Sequence, residues 1–159
     1  MIQRHPRKFL MAVATLGLAL GAGAQVVLKK SISSAAAKKA VAACETLSQS
    51  KGWTQTIAVV DEAGNQMAFL KMDGAALNTI DFALGKARSA LRIQAPSSDL
   101  LDRLGRGESQ VLAWGLLPGR GGLPIKIDGQ TVGAVGVSGS GSDNDEACAR
   151  VAVEAALSK

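Results

Sequence analysis

The sequence is poor in the residues that most catalytic sites use. Among 159 residues there is one histidine, no tyrosine and two cysteines, and aromatics make up 3%. So few rings leave little to stack nucleic-acid bases on. Two cysteines are too few for a structural zinc centre. Glycine is plentiful, but no Gly-Lys-Ser/Thr follows a glycine run, so no P-loop is present.

The lone histidine, His5, falls in "MIQRHPRKFLMAVATLGLALGAGAQ". Arg4, Arg7 and Lys8 make a basic start, Phe9 to Leu20 an apolar run, and Ala22-Gly23-Ala24 a set of small residues. This is the layout of a secretory signal peptide, predicted over residues 1–24. The run is short for a membrane span, and an uncleaved anchor is the lesser alternative. The expected location is periplasmic or secreted, with membrane contact only during export. The domain is then 25–159. Removing three basic residues from 18 leaves 15 against 13 acidic ones, so +5 becomes +2. That balance does not point to nucleic acid. The expected mature chain also has no histidine, hence neither the usual general base nor the commonest metal ligand.

What is present is ordered pattern, with 47% hydrophobic residues and an ordinary share of charge. "SISSAAAKKAVAACETLSQSKG" reads as a helix capped by Ser33 or Ser34 and ended by Gly52. Ala37, Ala40, Val41, Cys44, Leu47 and Ser48 share one face. "TQTIAVVDEAGNQMAFLKMD" reads as a hairpin turning at Asp61 to Asn65, apolar on both faces and so covered on both. "NTIDFALGKARSALRIQAP" is a helix with Asn78 as N-cap and Asp81 completing a capping-box-like pair. Its buried stripe is Ile80, Ala83, Leu84, Ala87 and Leu91, and Pro96 ends it. A short helix starts at Ser97. "ESQVLAWGLLPGRGGLP" has no period and reads as a long loop with room for a short strand. "PIKIDGQTVGAVGVSG" is a second hairpin turning at Asp128-Gly129. The final helix, capped by Ser142 or Asp143, carries Asp145 and Glu146 near its positive end.

Several groups could carry chemistry. Arg88 and Arg92 lie on one helix face, with Lys86 turned away from them. They are candidates for ligand carboxylates or an ordinary solvated face. Met67 and Met72 could ligate iron through sulfur, though core filling is the preferred reading. Ser138, Ser140 and Ser142 have no histidine to activate them. The glycines of "GRGG" and "GVSGSGS" read first as turn and packing residues. Cys44 and Cys148, both on helices, are open to a disulfide, but two buried thiols are preferred.

The segments "IAVVDEAGNQMAFLKMDGA", "IDFALGKARSAL" and "PGRGGLPIKIDGQTVGAVGVSGSGSDNDEACA" together resemble the GlcG/HbpS family, the haem-degrading or PduO C-terminal-like domain. The resemblance runs from about Ser33 to Leu157. It implies an α+β fold: one α-β-α layered domain with a mainly antiparallel, five-stranded sheet flanked by helices. It also implies a homo-oligomer and haem or another tetrapyrrole as ligand, for sensing, storage or degradation. Matching motif positions are Met72, Asp73, Asp81, Lys86, Gly121, Gly122, Pro124, Ser138, Gly139, Asp145 and Glu146.

On that resemblance Lys86, Arg88 or Arg120 is expected to pair with ligand carboxylates. Met72 and Trp114 would cover its face, with Asp73, Gly121 and Gly122 beside it. The resemblance implies histidine ligation of the iron, seen or proposed in relatives, and the expected mature chain, without histidine, departs from it. Its iron ligand would be Met, Cys, Lys or a weak oxygen donor such as Thr79 or Thr131. Two other readings stand: an enzyme or accessory protein for a small hydroxy- or keto-acid, using Asp73, Asp81, Lys86 or Glu146, and a protein-partner module of a signalling system.

Overall fold

The computed structural model describes residues 27–158. The expected leader lies outside them. In chain order the elements are α1 (Ser34–Lys51), β1 (Thr56–Asp61), β2 (Gln66–Lys71), α2 (Thr79–Ile93), α3 (Asp99–Gly105), α4 (Gln110–Ala113), β3 (Gly122–Ile127), β4 (Gln130–Ser138) and α5 (Ser142–Leu157). The sheet is antiparallel with order β2-β1-β4-β3. It has four strands, not the five expected. The segment with room for another strand instead holds α4 and turns, because Gly115, Gly119 and Gly121 take positive φ. Among the described residues no helix is long and apolar enough to cross a membrane.

Side-chain alternation along the central strands divides the core. Ile57, Val59, Val135 and Val137 join α1 and α5 on one face, around Ala37, Ala40, Cys44, Cys148 and Ala152. Val60 and Ala134 face α2 on the other, against Ala87 and Ala90. The layers are therefore α1 and α5, then the sheet, then α2. Gly136 of β4 lets α2 lie directly on the sheet, since a Cβ there would meet the Ala83 carbonyl oxygen and the Ala87 nitrogen.

Two termini follow the predicted chemistry. Ser33 accepts the Ala36 N–H at 3.2 Å, and Gly52 closes α1 with φ 66°. The Asp128-Gly129 turn has φ of 51° and 75°, as the tight hairpin requires. Two others differ. Asn78 precedes α2 with helical φ and ψ and makes no side-chain cap bond. A residue already turned into the helix points its side chain away from the N–H groups it would cap. Before α5 the cap position is Gly141, at φ 89°, rather than Ser142 or Asp143.

The preference for two free thiols is overturned. Cys44 of α1 and Cys148 of α5 form a disulfide with their Cα atoms 5.0 Å apart. Alanines make the approach possible: Ala37, Ala40, Ala149 and Ala152 are fully buried where the helices meet.

Candidate ligand site

The interior holds a polar network built on Lys86 and Asp145. Lys86 comes from the buried face of α2, and its Nζ donates to the Val137 carbonyl at 2.9 Å and to Asp145 Oδ2 at 3.1 Å. Asp145 also accepts from Gln55 Nε2 at 3.0 Å and from the Ser140 N–H at 3.1 Å. Gln55 in turn accepts from the Ser48 hydroxyl at 2.6 Å, and that hydroxyl lies 3.2 Å from Cys148 Sγ. Glu146 accepts the Gly121 N–H at 2.9 Å and pairs with Arg150 at 2.8 Å. The acidic start of α5 is therefore compensated inside the fold. Every partner of Lys86 belongs to the chain, so this network ties the layers together.

Gly121 and Gly122 belong to the same region. Both are buried. A Cβ on Gly121 would meet Val137 O at 2.7 Å and Asp145 Cβ at 2.8 Å; one on Gly122 would meet the Lys86 carbonyl and Ser97 Oγ. The Gly122 N–H donates to Ser97 Oγ at 3.0 Å. These glycines bring the start of β3 against α2 and α5.

The remaining sequence-predicted residues occupy separate places. Met72 and Asp73 line a hollow of about 250 Å³ with Glu45 and Gln49, where β2 ends beside α1. Arg88 is exposed on α2 and its Nε donates to the Gly64 carbonyl at 3.2 Å. Trp114 is exposed just after α4, with the Arg103 guanidinium 5.3 Å from its ring centre. Arg120 pairs with Asp143 at 3.4 Å. The structure does not gather these residues into one pocket. The acid–base candidates do not converge either, since Asp73 and Asp81 are exposed and Glu146 is enclosed.

Sequence reasoning missed a more apolar groove of about 380 Å³ along β3, an edge strand. Pro96, Leu123, Pro124 and Val153 form its apolar wall; Lys126 and Arg150 bring cations to it and Glu154 a carboxylate, with Arg150 already paired to Glu146. Proline in a strand is a sign of an edge, because it cannot donate to a ladder. "GLPIK" carried that sign. The rest of the groove comes from the end of α2 and from α5, far away in sequence.

An apolar wall of this kind would suit a porphyrin face, and Lys126, with the outer side of Arg150, would suit its propionates. The iron is served less well. Among the described residues no group of three or more His, Cys, Asp or Glu could hold a metal. Both cysteines are in the disulfide, Lys86 is enclosed in its ion pair, and Thr79 Oγ1 is bonded to Thr56 and to the Ala76 carbonyl, each at 2.6 Å. Lys126 is the nitrogen base on the groove.

Residues 32–154 match the family described as haem-degrading protein HbpS-like. The chain belongs to that family. A double mutant of HbpS from Streptomyces reticuli is 31% identical, with a TM-score of 0.80 over 97% of this chain and 100% of that one. Protein GlcG of Escherichia coli is 32% identical over 115 residues, 72% of this chain and 83% of its own length. The fold also matches PduOC, solved as a haem complex, with a TM-score of 0.73 at 22% identity over 79% of this chain and 94% of that one. The family membership expected from the motifs is thus established.

Proposed function

We propose that this HbpS-like protein is exported and binds haem or a closely related tetrapyrrole. The porphyrin lies along Pro96, Leu123, Pro124 and Val153, with its propionates at Lys126 and Arg150. The observation that carries this reading is one groove that joins an apolar wall to Lys126 and the Glu146-paired Arg150, with Glu154 at its border, in a family described by haem chemistry. Burial of a flat apolar face supplies most of the affinity, and the charged ends set the orientation.

Export rests on the signal-peptide layout of residues 1–24 and on the Cys44–Cys148 bridge, since disulfides persist in oxidising compartments. The groove is open on one side. A second copy closing it is the simplest way to cover the other face of the ligand, which supports a homo-oligomer.

The test is a haem titration of the purified protein followed at the Soret band. Saturable binding that weakens about tenfold or more in Lys126→Glu or Arg150→Glu is the expected result. A flat titration, or one unchanged by both substitutions, removes this reading.

A further inference from the structure

A second, chemically different cleft lies beside the same C-terminal end of α2 and shares Gln94 with the groove along β3. It has a volume of about 480 Å³ and is bordered by Glu62, Gly64, Asn65, Arg88, Arg92 and Thr131, among others. Its lining comes from three elements: the β1–β2 turn, the last two turns of α2 and the start of β4.

Polar groups in this cleft are left without partners. Arg92 makes no ion pair or hydrogen bond among the described residues. Arg88 uses only its Nε, on the Gly64 carbonyl, leaving the outer nitrogens of its guanidinium. Glu62 Oε2 and Thr131 Oγ1 are shielded from water and have no hydrogen-bond partner. A buried polar atom in that state is rare and costly. The nearby Asp61 carboxylate is fully engaged, by the N–H groups of Ala63 and Asn65 and by the Asn65 amide.

Glu62 carries the opposite charge to the two arginines, yet it forms no ion pair with either. Opposite charges on one small cleft normally meet. Here they border one cleft of about 480 Å³ without pairing. The arginines present donors and positive charge; Glu62 presents an acceptor, and Thr131 either. We propose that this cleft is a ligand site for a small oxyanion that carries its own hydroxyl. The charged oxygens bind Arg88 and Arg92, and the hydroxyl donates to Glu62 or Thr131 after the Glu62 side chain rotates outward. Because Glu62 sits in a turn and is only partly buried, that rotation disturbs no core packing.

The experiment is calorimetric titration of the purified protein with two matched pairs. One pair is lactate against propionate, which differ by a single hydroxyl. The other is inorganic phosphate against sulfate at pH 7, where hydrogen phosphate keeps a proton to donate and sulfate does not. Tighter binding of the hydroxyl-bearing member, by about tenfold in at least one pair, is expected. The pair showing it identifies the source of the oxyanion as a carboxylate or a phosphate.

Arg92→Ala, on an exposed helix position, should weaken both members of that pair about tenfold or more. Glu62→Ala removes a negative charge and so favours every anion, but Glu62→Ala combined with Thr131→Val should bring the ratio within the pair close to one. That loss of ratio is a readout that general electrostatics would not move. Absence of saturable binding up to about 10 mM of all four probes, equal binding within both pairs, or binding indifferent to Arg92→Ala overturns the proposal.

Discussion

Lys86 Nζ lies 3.1 Å from Asp145 Oδ2, with side chains only 10% and 5% exposed, and the pair joins the helix on one face of the sheet to the start of a helix on the other. Removing either partner leaves a charge enclosed without its counterion. Lys86→Met or Asp145→Leu should each cost about 3–5 kcal/mol, and the double variant less than the sum. Urea denaturation of the four proteins of this cycle measures it. Additive losses would show that the pair does not act as a unit.

The Cys44–Cys148 bridge spans 104 residues of sequence. Closing so long a loop restricts the unfolded chain strongly, and its removal in Cys44→Ala/Cys148→Ala should cost about 2–5 kcal/mol. Denaturation of the oxidised protein, of the same protein in dithiothreitol and of the double variant checks this. A midpoint unchanged by reductant would mean that the cysteines are not paired in solution.

Gly136 and Gly105 make a contrast. A Cβ at Gly136 falls on the backbone of α2, whereas one at Gly105 meets nothing within 4 Å. Gly136→Ala should therefore push the helix off the sheet and destabilise by about 1–3 kcal/mol or more. Gly105→Ala, at the end of α3, should be neutral or gain up to about 1 kcal/mol. Thermal melts of both variants decide it, and equal effects would contradict the close approach.

Stability at low pH should depend on the first hairpin. Partial burial alone would raise the pKa of Asp61, but hydrogen bonds to its carboxylate from the Asn65 side chain and from the Asn65 and Ala63 N–H groups outweigh it and hold the carboxyl below its usual range. A carboxylate whose folded value is depressed contributes stability that is complete above its unfolded value and is lost as pH falls through the folded one. Asp61→Ala should thus lower the melting temperature at pH 7 and have a smaller effect below about pH 3. A melting difference that is constant across that range would remove the titrating role of Asp61.

What the sequence revealed depended on how local the cause was. The buried face of α1 and the Asp128-Gly129 turn were legible because neighbours within a turn or two determine them. The partner of Lys86 was not, because Asp145 lies 59 residues away and a buried lysine reads like any other basic residue on a helix. The disulfide was hidden for the same reason. The groove with Lys126 and Arg150 is assembled from residues 94–96, 123–126 and 150–154, and no single segment announces it. The Asn78 cap failed for a different cause: the residue type was right, but the backbone had already entered helical geometry.

The bridge between α1 and α5 also changes what a cut in the chain would mean. Both ends of the fold are fastened to each other, so the stretch from Gly107 to Gly119, which holds only one short helix, lies inside a covalent ring. Cleavage there by a protease would open the ring without releasing a fragment. The nicked protein would keep its mass, plus one water, until a reductant let its two pieces part.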